Sequence, residues 1–122
     1  DNTIIFYNSS NDKKITILKK KGATLIKTQL NNEGLLDLKI IFKKLFFIGT
    51  RCLLIEGGDK LTKNLIKNRL IDIFYLFQSP KILRVNKINQ GFTSFGILNG
   101  KYKKASKIIS KLAKDNITIY KR

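Results

Sequence analysis

A chain of 122 residues, 43% of them hydrophobic, is long enough for one domain over residues 1–122 that buries roughly two-thirds of its unfolded surface. Twenty-five basic and eight acidic residues leave a net charge of +17, with no histidine, no methionine and a single cysteine, Cys52. That inventory excludes an imidazole base, a Ser–His relay, a His-ligated metal and an intrachain disulfide, and its eight scattered acids form no spaced carboxylate pair.

In chain order, Thr3-Ile4-Ile5-Phe6-Tyr7 is a short apolar run that predicts a strand, followed by the turn and cap chemistry of Asn8-Ser9-Ser10-Asn11-Asp12. Asn8, Ser9 and Ser10 suit that turn role, with contact to a nucleotide phosphate as the alternative. Residues 12–21 read as a lysine-rich helix with Ile15, Ile17 and Leu18 inward, stopped by Gly22. Thr24-Leu25-Ile26 predicts a second strand, and Asn31-Asn32-Glu33-Gly34 a loop. From Leu35 to Phe47, the three- and four-residue spacing of Leu38, Ile41, Phe42 and Leu45 predicts a helix with one buried face, ended by Gly49.

Arg51 to Glu56 is apolar on both faces and predicts a third, central strand, with Cys52 as a small buried hydrophobe. A helix follows Gly58 at once, with Leu61, Leu65 and Ile66 inside and Lys60, Lys63 and Lys67 outside. Ile71 to Phe77 predicts a fourth strand, closed by Pro80. The aromatic residues Phe42, Phe46, Phe47, Phe74, Tyr75 and Phe77 read as core. Arg84 to Lys101, Asn- and Gly-rich without a clear period, reads as a long loop. For Lys101 to Lys114 two readings stand: a basic amphipathic helix, or a strand over Ala105–Leu112 that turns through Lys114-Asp115-Asn116 into Ile117-Thr118-Ile119-Tyr120.

Alternating strands and helices imply an α/β domain, whose ligands gather at the C-terminal ends of strands. Glu56-Gly57-Gly58 lies at such an end. Glycine there lets backbone N–H groups approach an anion at the positive end of a helix dipole. A Gly-Gly pair is also a common strand-to-helix corner. The run is neither the Gly-x-Gly-x-x-Gly of dinucleotide folds nor a phosphate loop ending in Gly-Lys-Ser/Thr, so both readings stay open on these residues alone.

The ordered set Leu36-Asp37-Leu38, Leu54-Ile55-Glu56-Gly57-Gly58 with Leu61, Leu65-Ile66, Leu70-Ile71-Asp72 and Ser79-Pro80-Lys81-Ile82-Leu83 resembles one family. It is similar to the C-terminal part of the reductase domain of the bifunctional riboflavin-biosynthesis deaminase/reductase, a relative of dihydrofolate reductase. The spacing from Leu-Asp-Leu to Glu-Gly-Gly and on to Pro-Lys fits without insertions, a terminal hairpin with Asp115 at its turn fits too, and the resemblance covers nearly the whole chain. The resemblance implies a mixed sheet flanked by helices and ending in an antiparallel hairpin, which selects the hairpin over the helix at the C-terminus.

The resemblance also implies an activity. The family reduces the ribosyl group of a phosphoribosylamino-pyrimidine to ribityl with hydride from NADPH. Gly57, Gly58, Asp59, Lys60, Leu61 and Thr62 would hold the cofactor, and Glu56 would face the phosphorylated pyrimidine substrate. N–H donors suit a pyrophosphate, whereas a carboxylate suits pyrimidine or hydroxyl donors. Asp59 is repulsive beside a pyrophosphate and is expected to offer only its backbone, its side chain steadying the helix start. A homodimer in the cytoplasm is implied as well.

Three positions depart from the family's usual residues: Arg69 and Arg84 stand where glycine is common, and Ile73 where an acid often follows the aspartate. The zinc deaminase domain and the family's upstream reductase strands have no counterpart here. With the absent initiator methionine, this leads to the expectation of a piece of a longer protein that is inactive by itself.

Two further readings are weighed: another dihydrofolate-reductase-like NADPH reductase, and a basic nucleic-acid-binding module. Against the second, the basic residues are spread along the chain and only four are arginine, the residue suited to bidentate recognition. No specific nucleic-acid partner is expected. A membrane partner is not expected either, since no apolar stretch reaches the ~18 residues of a span and no secretory signal opens the chain.

Overall fold

The computed structural model describes residues 3–80, 92–109 and 115–122. They fall into two compact units, Asp1–Leu54 and Ile55–Arg122.

The first unit is a strand–helix–strand–helix arrangement. β1 (Ile4–Tyr7) and β2 (Thr24–Lys27) are rich in β-branched and aromatic residues and pair in parallel, with Ile5 opposite Leu25 and Phe6 opposite Ile26. The crossover is α1 (Asp12–Lys20). Asn11 caps it, its Oδ1 accepting from Lys14 N–H at 2.8 Å, while Asp12 and Lys19/Lys20 complement the two ends of the helix dipole. Ile15 and Leu18 are half-buried as expected, but Ile17 is exposed. Asp37 caps α2 (Leu38–Phe47) by accepting from Lys39 and Ile40 N–H at 2.9 and 3.2 Å. Ile41 is buried and Leu38, Phe42 and Leu45 are half-buried, so the three-and-four spacing marks the packed stripe correctly. Gly49 follows at φ +98°, a left-handed conformation that ends the helix.

The expected third strand does not form. Residues 51–58 join no ladder, Leu54 is 84% exposed, and Cys52 is exposed, not a buried hydrophobe. An apolar run becomes a strand only where a neighbouring backbone takes up its N–H and C=O groups, and no described strand lies beside this one. Phe46 and Phe47 also lie outside the core. They follow the buried stripe of α2, and Phe47 is 72% exposed. The Arg51 guanidinium stacks 4.4 Å from the Phe46 ring centroid and donates to its carbonyl at 2.8 Å, which places that ring under a cation at the surface.

The second unit opens with α3 (Asp59–Lys67), followed by β3 (Ile73–Gln78), α4 (Phe95–Lys101), β4 (Lys103–Ile109) and β5 (Asn116–Lys121). Its sheet is antiparallel in the order β3-β5-β4, so β4 and β5 form the expected hairpin and residues 103–109 do not form the alternative helix. The register slips by one residue between Lys104 and Ser106. Residues 110–114, including the start of the expected turn at Lys114, lie outside the described residues.

The core gathers Ile66, Leu76, Leu98, Tyr102 and Tyr120, with Ile71, Phe74, Phe92 and Ile97 against them. Phe74 and Leu76 point inward. The alternate residues Ile73, Tyr75 and Phe77 are exposed, so the expectation of a core role for Tyr75 and Phe77 fails on the two-residue period of a strand. Leu61 is 37% exposed, unlike its helix mates Leu65 and Ile66.

Part of the segment read as loop, Phe95–Lys101, is helical, while 84–91 falls outside the described residues. Gly96 and Gly100 make α4 a poor helix by propensity. Burial of Leu98 and Ile97 in the core overrides that preference.

Arg69 follows α3 at φ +53°, the left-handed region that favours glycine. This explains physically why glycine suits the position. The Arg69 side chain is exposed, and the contact the residue makes with Arg122 Nη1, at 3.0 Å, uses its backbone carbonyl. Arg69→Gly is therefore expected to stabilise the second unit by about 0.5 kcal/mol, the relief of strain being partly offset by a freer unfolded chain. A shift in the urea midpoint measures it, and an unchanged or lower midpoint would contradict the strain argument.

Candidate functional site

The glycine turn belongs to the second unit. Ile55 is half-buried, Glu56 is exposed, and Gly58 is the N-cap of α3 at φ −73°, ψ 170°. Thr62 N–H donates to the Gly58 carbonyl at 3.1 Å and starts the helix, but no side chain caps it. Among the described residues, the N–H groups of Asp59, Lys60 and Leu61 thus have no side-chain acceptor, which leaves the positive end of the helix dipole open to an anion.

The two glycines differ. A Cβ on Gly57 would come within 2.8 Å of Leu61 Cδ2, so a larger residue there would push the end of that side chain aside. At Gly58 the backbone is one that any residue adopts, and a Cβ would meet nothing within 4 Å. Neither strain nor packing asks for glycine at 58, which stands at the N-cap of α3.

Asp59 stands in the first turn of α3, as expected. Its carboxylate reaches beyond its own helix: Oδ1 accepts from Thr93 N–H at 3.0 Å and from Ser94 Oγ at 3.4 Å, and Oδ2 from Thr93 Oγ1 at 2.6 Å. The Thr93 hydroxyl first, then the Thr93 N–H, hold its pKa below the ordinary 3.8. Thr93 and Ser94 were missed in the sequence because they fall in the segment read as loop. A Thr-Ser pair just ahead of Phe95 is nevertheless recognisable cap chemistry. Lys60 is exposed and Thr62 half-buried on the same helix, and Glu56 makes no hydrogen bond or ion pair among the described residues.

The first unit has a concave site of its own. Asn8, Lys27, Thr28, Gln29, Ile40 and Lys44 line a pocket of about 400 Å³ at the C-terminal ends of β1 and β2. Asn8 Nδ2 donates to the Thr28 carbonyl at 3.0 Å, Thr28 N–H to the Tyr7 carbonyl at 2.7 Å, and Lys44 Nζ to the Lys27 carbonyl at 2.7 Å. Of the three residues weighed between turn and phosphate, only Asn8 lines this pocket. Lys27, Thr28, Gln29 and Lys44 were missed, although the rule about the C-terminal ends of parallel strands applies to both strands of the pair.

Thr28 is 4% exposed, and its hydroxyl has no hydrogen-bond partner among the described residues. An unmet buried hydroxyl is costly, so Thr28→Val is expected to stabilise the first unit by about 1 kcal/mol in urea unfolding. A destabilised variant would show that the hydroxyl has a partner in solution.

The described residues hold no cluster of three or more His, Cys, Asp or Glu that suits a metal ion, and no helix long and apolar enough to cross a membrane. A parallel pair with a crossover helix, an open Gly-Gly turn at a helix start and an antiparallel hairpin define a mixed α/β domain of the dihydrofolate-reductase-like class. The family model described as RibD C-terminal domain matches residues 1–112, and the chain belongs to that family. The match spans both units and contains the whole of the glycine turn. It places the chain in a reductase-type domain of riboflavin biosynthesis, the C-terminal domain of a deaminase/reductase.

Proposed function

We propose that this chain serves NADPH-dependent reduction of the ribosyl group of a phosphoribosylamino-pyrimidine to a ribityl group. The observation that carries the reading is Gly58, an uncapped helix start that neither backbone conformation nor packing requires to be glycine. Bare N–H groups at that end match the charge of a pyrophosphate. NADPH, when bound, supplies the hydride.

In this reading the Gly57-Gly58 backbone and the first turn of α3 bind and orient the cofactor, with Lys60 adding positive charge at the helix start. Glu56, at the lip of the turn, accepts hydrogen bonds from pyrimidine N–H or ribose hydroxyl groups. A carboxylate there suits donors and not phosphate, which keeps the two ligands in separate places.

Titration of the chain with NADPH, NADH and a short DNA duplex tests the reading. Micromolar NADPH binding with weak, salt-sensitive DNA binding is expected; tight duplex binding without NADPH binding would overturn it. In the full-length protein, Glu56→Gln is expected to lower kcat/KM about tenfold or more through loss of a charged hydrogen-bond acceptor, while NADPH affinity changes less than about twofold. Equal turnover by the variant removes Glu56 from the substrate site.

A further inference from the structure

An aspartate in the first turn of a helix lies close to that helix's own unpaired N–H groups, whose positive end attracts a negative charge. Here that would place a tethered anion where a phosphate is to bind. The tether makes its effective concentration high, and an anionic ligand would have to displace it. Asp59 has this position, yet both of its carboxylate oxygens are taken elsewhere, by Thr93 and Ser94.

The donors are well fixed. Ser94 is buried, and its carbonyl accepts from Leu98 N–H at 2.9 Å. Leu98 in turn packs against Ile66 of α3 in the core. The helix that carries Asp59 and the segment that restrains it are thus locked together further in, two turns along α3 and one turn along α4.

We propose that Thr93 and Ser94 act as positioning residues. They hold the Asp59 carboxylate off the glycine turn and so leave the N–H groups of Asp59, Lys60 and Leu61 available to the cofactor's pyrophosphate. This rests on the reading of the turn as the pyrophosphate site and adds a second requirement to it: the site must be kept clear of an acid that the chain itself supplies. The lowered pKa of Asp59 agrees with the arrangement, its largest causes being the two Thr93 hydrogen bonds, with Lys63 on the same helix a lesser one.

The double variant Thr93→Val/Ser94→Ala removes both hydroxyl donors. It is expected to weaken NADPH binding about fivefold, the size of a charge–dipole effect at a helix end. Adding Asp59→Asn to that double variant is expected to restore affinity to the wild-type value or better, because the competing charge is gone. Thr93→Ser, which keeps a hydroxyl, is expected to bind more tightly than the double variant. If the contact merely braced α4, adding Asp59→Asn would leave the loss in place or deepen it, and that result overturns the proposal, as does undiminished binding by the double variant.

A second readout does not need the cofactor. In a ¹H–¹⁵N titration across the carboxylate range, the amides of Lys60 and Leu61 should follow Asp59 ionisation strongly in the double variant and weakly in the wild type. The same response in both proteins would sink the proposal. If no form of the chain binds NADPH, the cofactor reading falls, and the amide titration alone decides the role of Thr93 and Ser94.

Discussion

Leu98→Ala is expected to destabilise the second unit by about 3 kcal/mol, the middle of the range for a buried leucine cut to alanine. Leu98 is 0% exposed and lies among Ile66, Leu76, Tyr102 and Tyr120, residues drawn from one helix, two strands and the junction after α4. Its removal leaves a cavity that a three-stranded sheet with one packed face cannot easily close. The loss has a second component. α4 has seven residues, two of them glycine, and is too short and too weak in propensity to persist without this anchor. Urea unfolding followed by tyrosine fluorescence measures the effect, with Leu54→Ala, at an exposed position, expected to cost less than about 0.5 kcal/mol. Similar costs for the two variants would show that the core lies elsewhere. Because Ser94 is the N-cap of α4, Leu98→Ala should also loosen the restraint on Asp59 and weaken NADPH binding.

Gly58→Val is expected to cost about tenfold or more in NADPH affinity while lowering the melting temperature by no more than about 5 °C, the size of a lost N-cap preference. The two halves of this prediction come from one observation. At φ −73° and ψ 170° a β-branched residue fits the backbone, and its Cβ meets nothing within 4 Å, so the fold loses little. The same side chain stands where a pyrophosphate would need to approach the N–H groups. Isothermal titration and thermal melts on one preparation separate the effects. Full affinity in a well-folded variant would return the Gly-Gly pair to a simple corner. Gly57→Ala differs in kind: its methyl group meets Leu61 Cδ2, a side-chain end that is free to swing, so its first effect is on local packing.

The elements legible in the sequence are those set by local periodicity and cap chemistry. The helix over 38–47 shows in the spacing of Leu38, Ile41, Phe42 and Leu45 and in its Asp37 cap, and Gly22 and Gly49 sit at helix ends in left-handed conformations. The glycine turn was legible as a strand end running into a helix, although the strand itself is absent. Misreadings share one cause: exposure and pairing depend on neighbours distant in sequence. Nothing in Arg51-Cys52-Leu53-Leu54-Ile55-Glu56 itself reveals whether another strand lies beside it. Tyr75 and Phe77 look like core residues until the strand period places them opposite Phe74 and Leu76.

By itself, then, the sequence determined the class of chain. Its alternation of strand-like runs, caps and glycines indicated an α/β domain, its ordered motifs resembled the reductase-type family, and both located the glycine turn at a helix start, because those signals are carried by neighbouring residues. Only the tertiary structure decided where the acid in that turn is held. Asp59 and Thr93 are 34 residues apart, and the hydrogen bonds between them exist because Leu98 and Ile66 bury together and draw α4 against α3. A charge in the first turn of a helix has a local preference that any sequence reading assigns to it. A partner brought in by packing overrides that preference, and this decides where the Asp59 carboxylate is held.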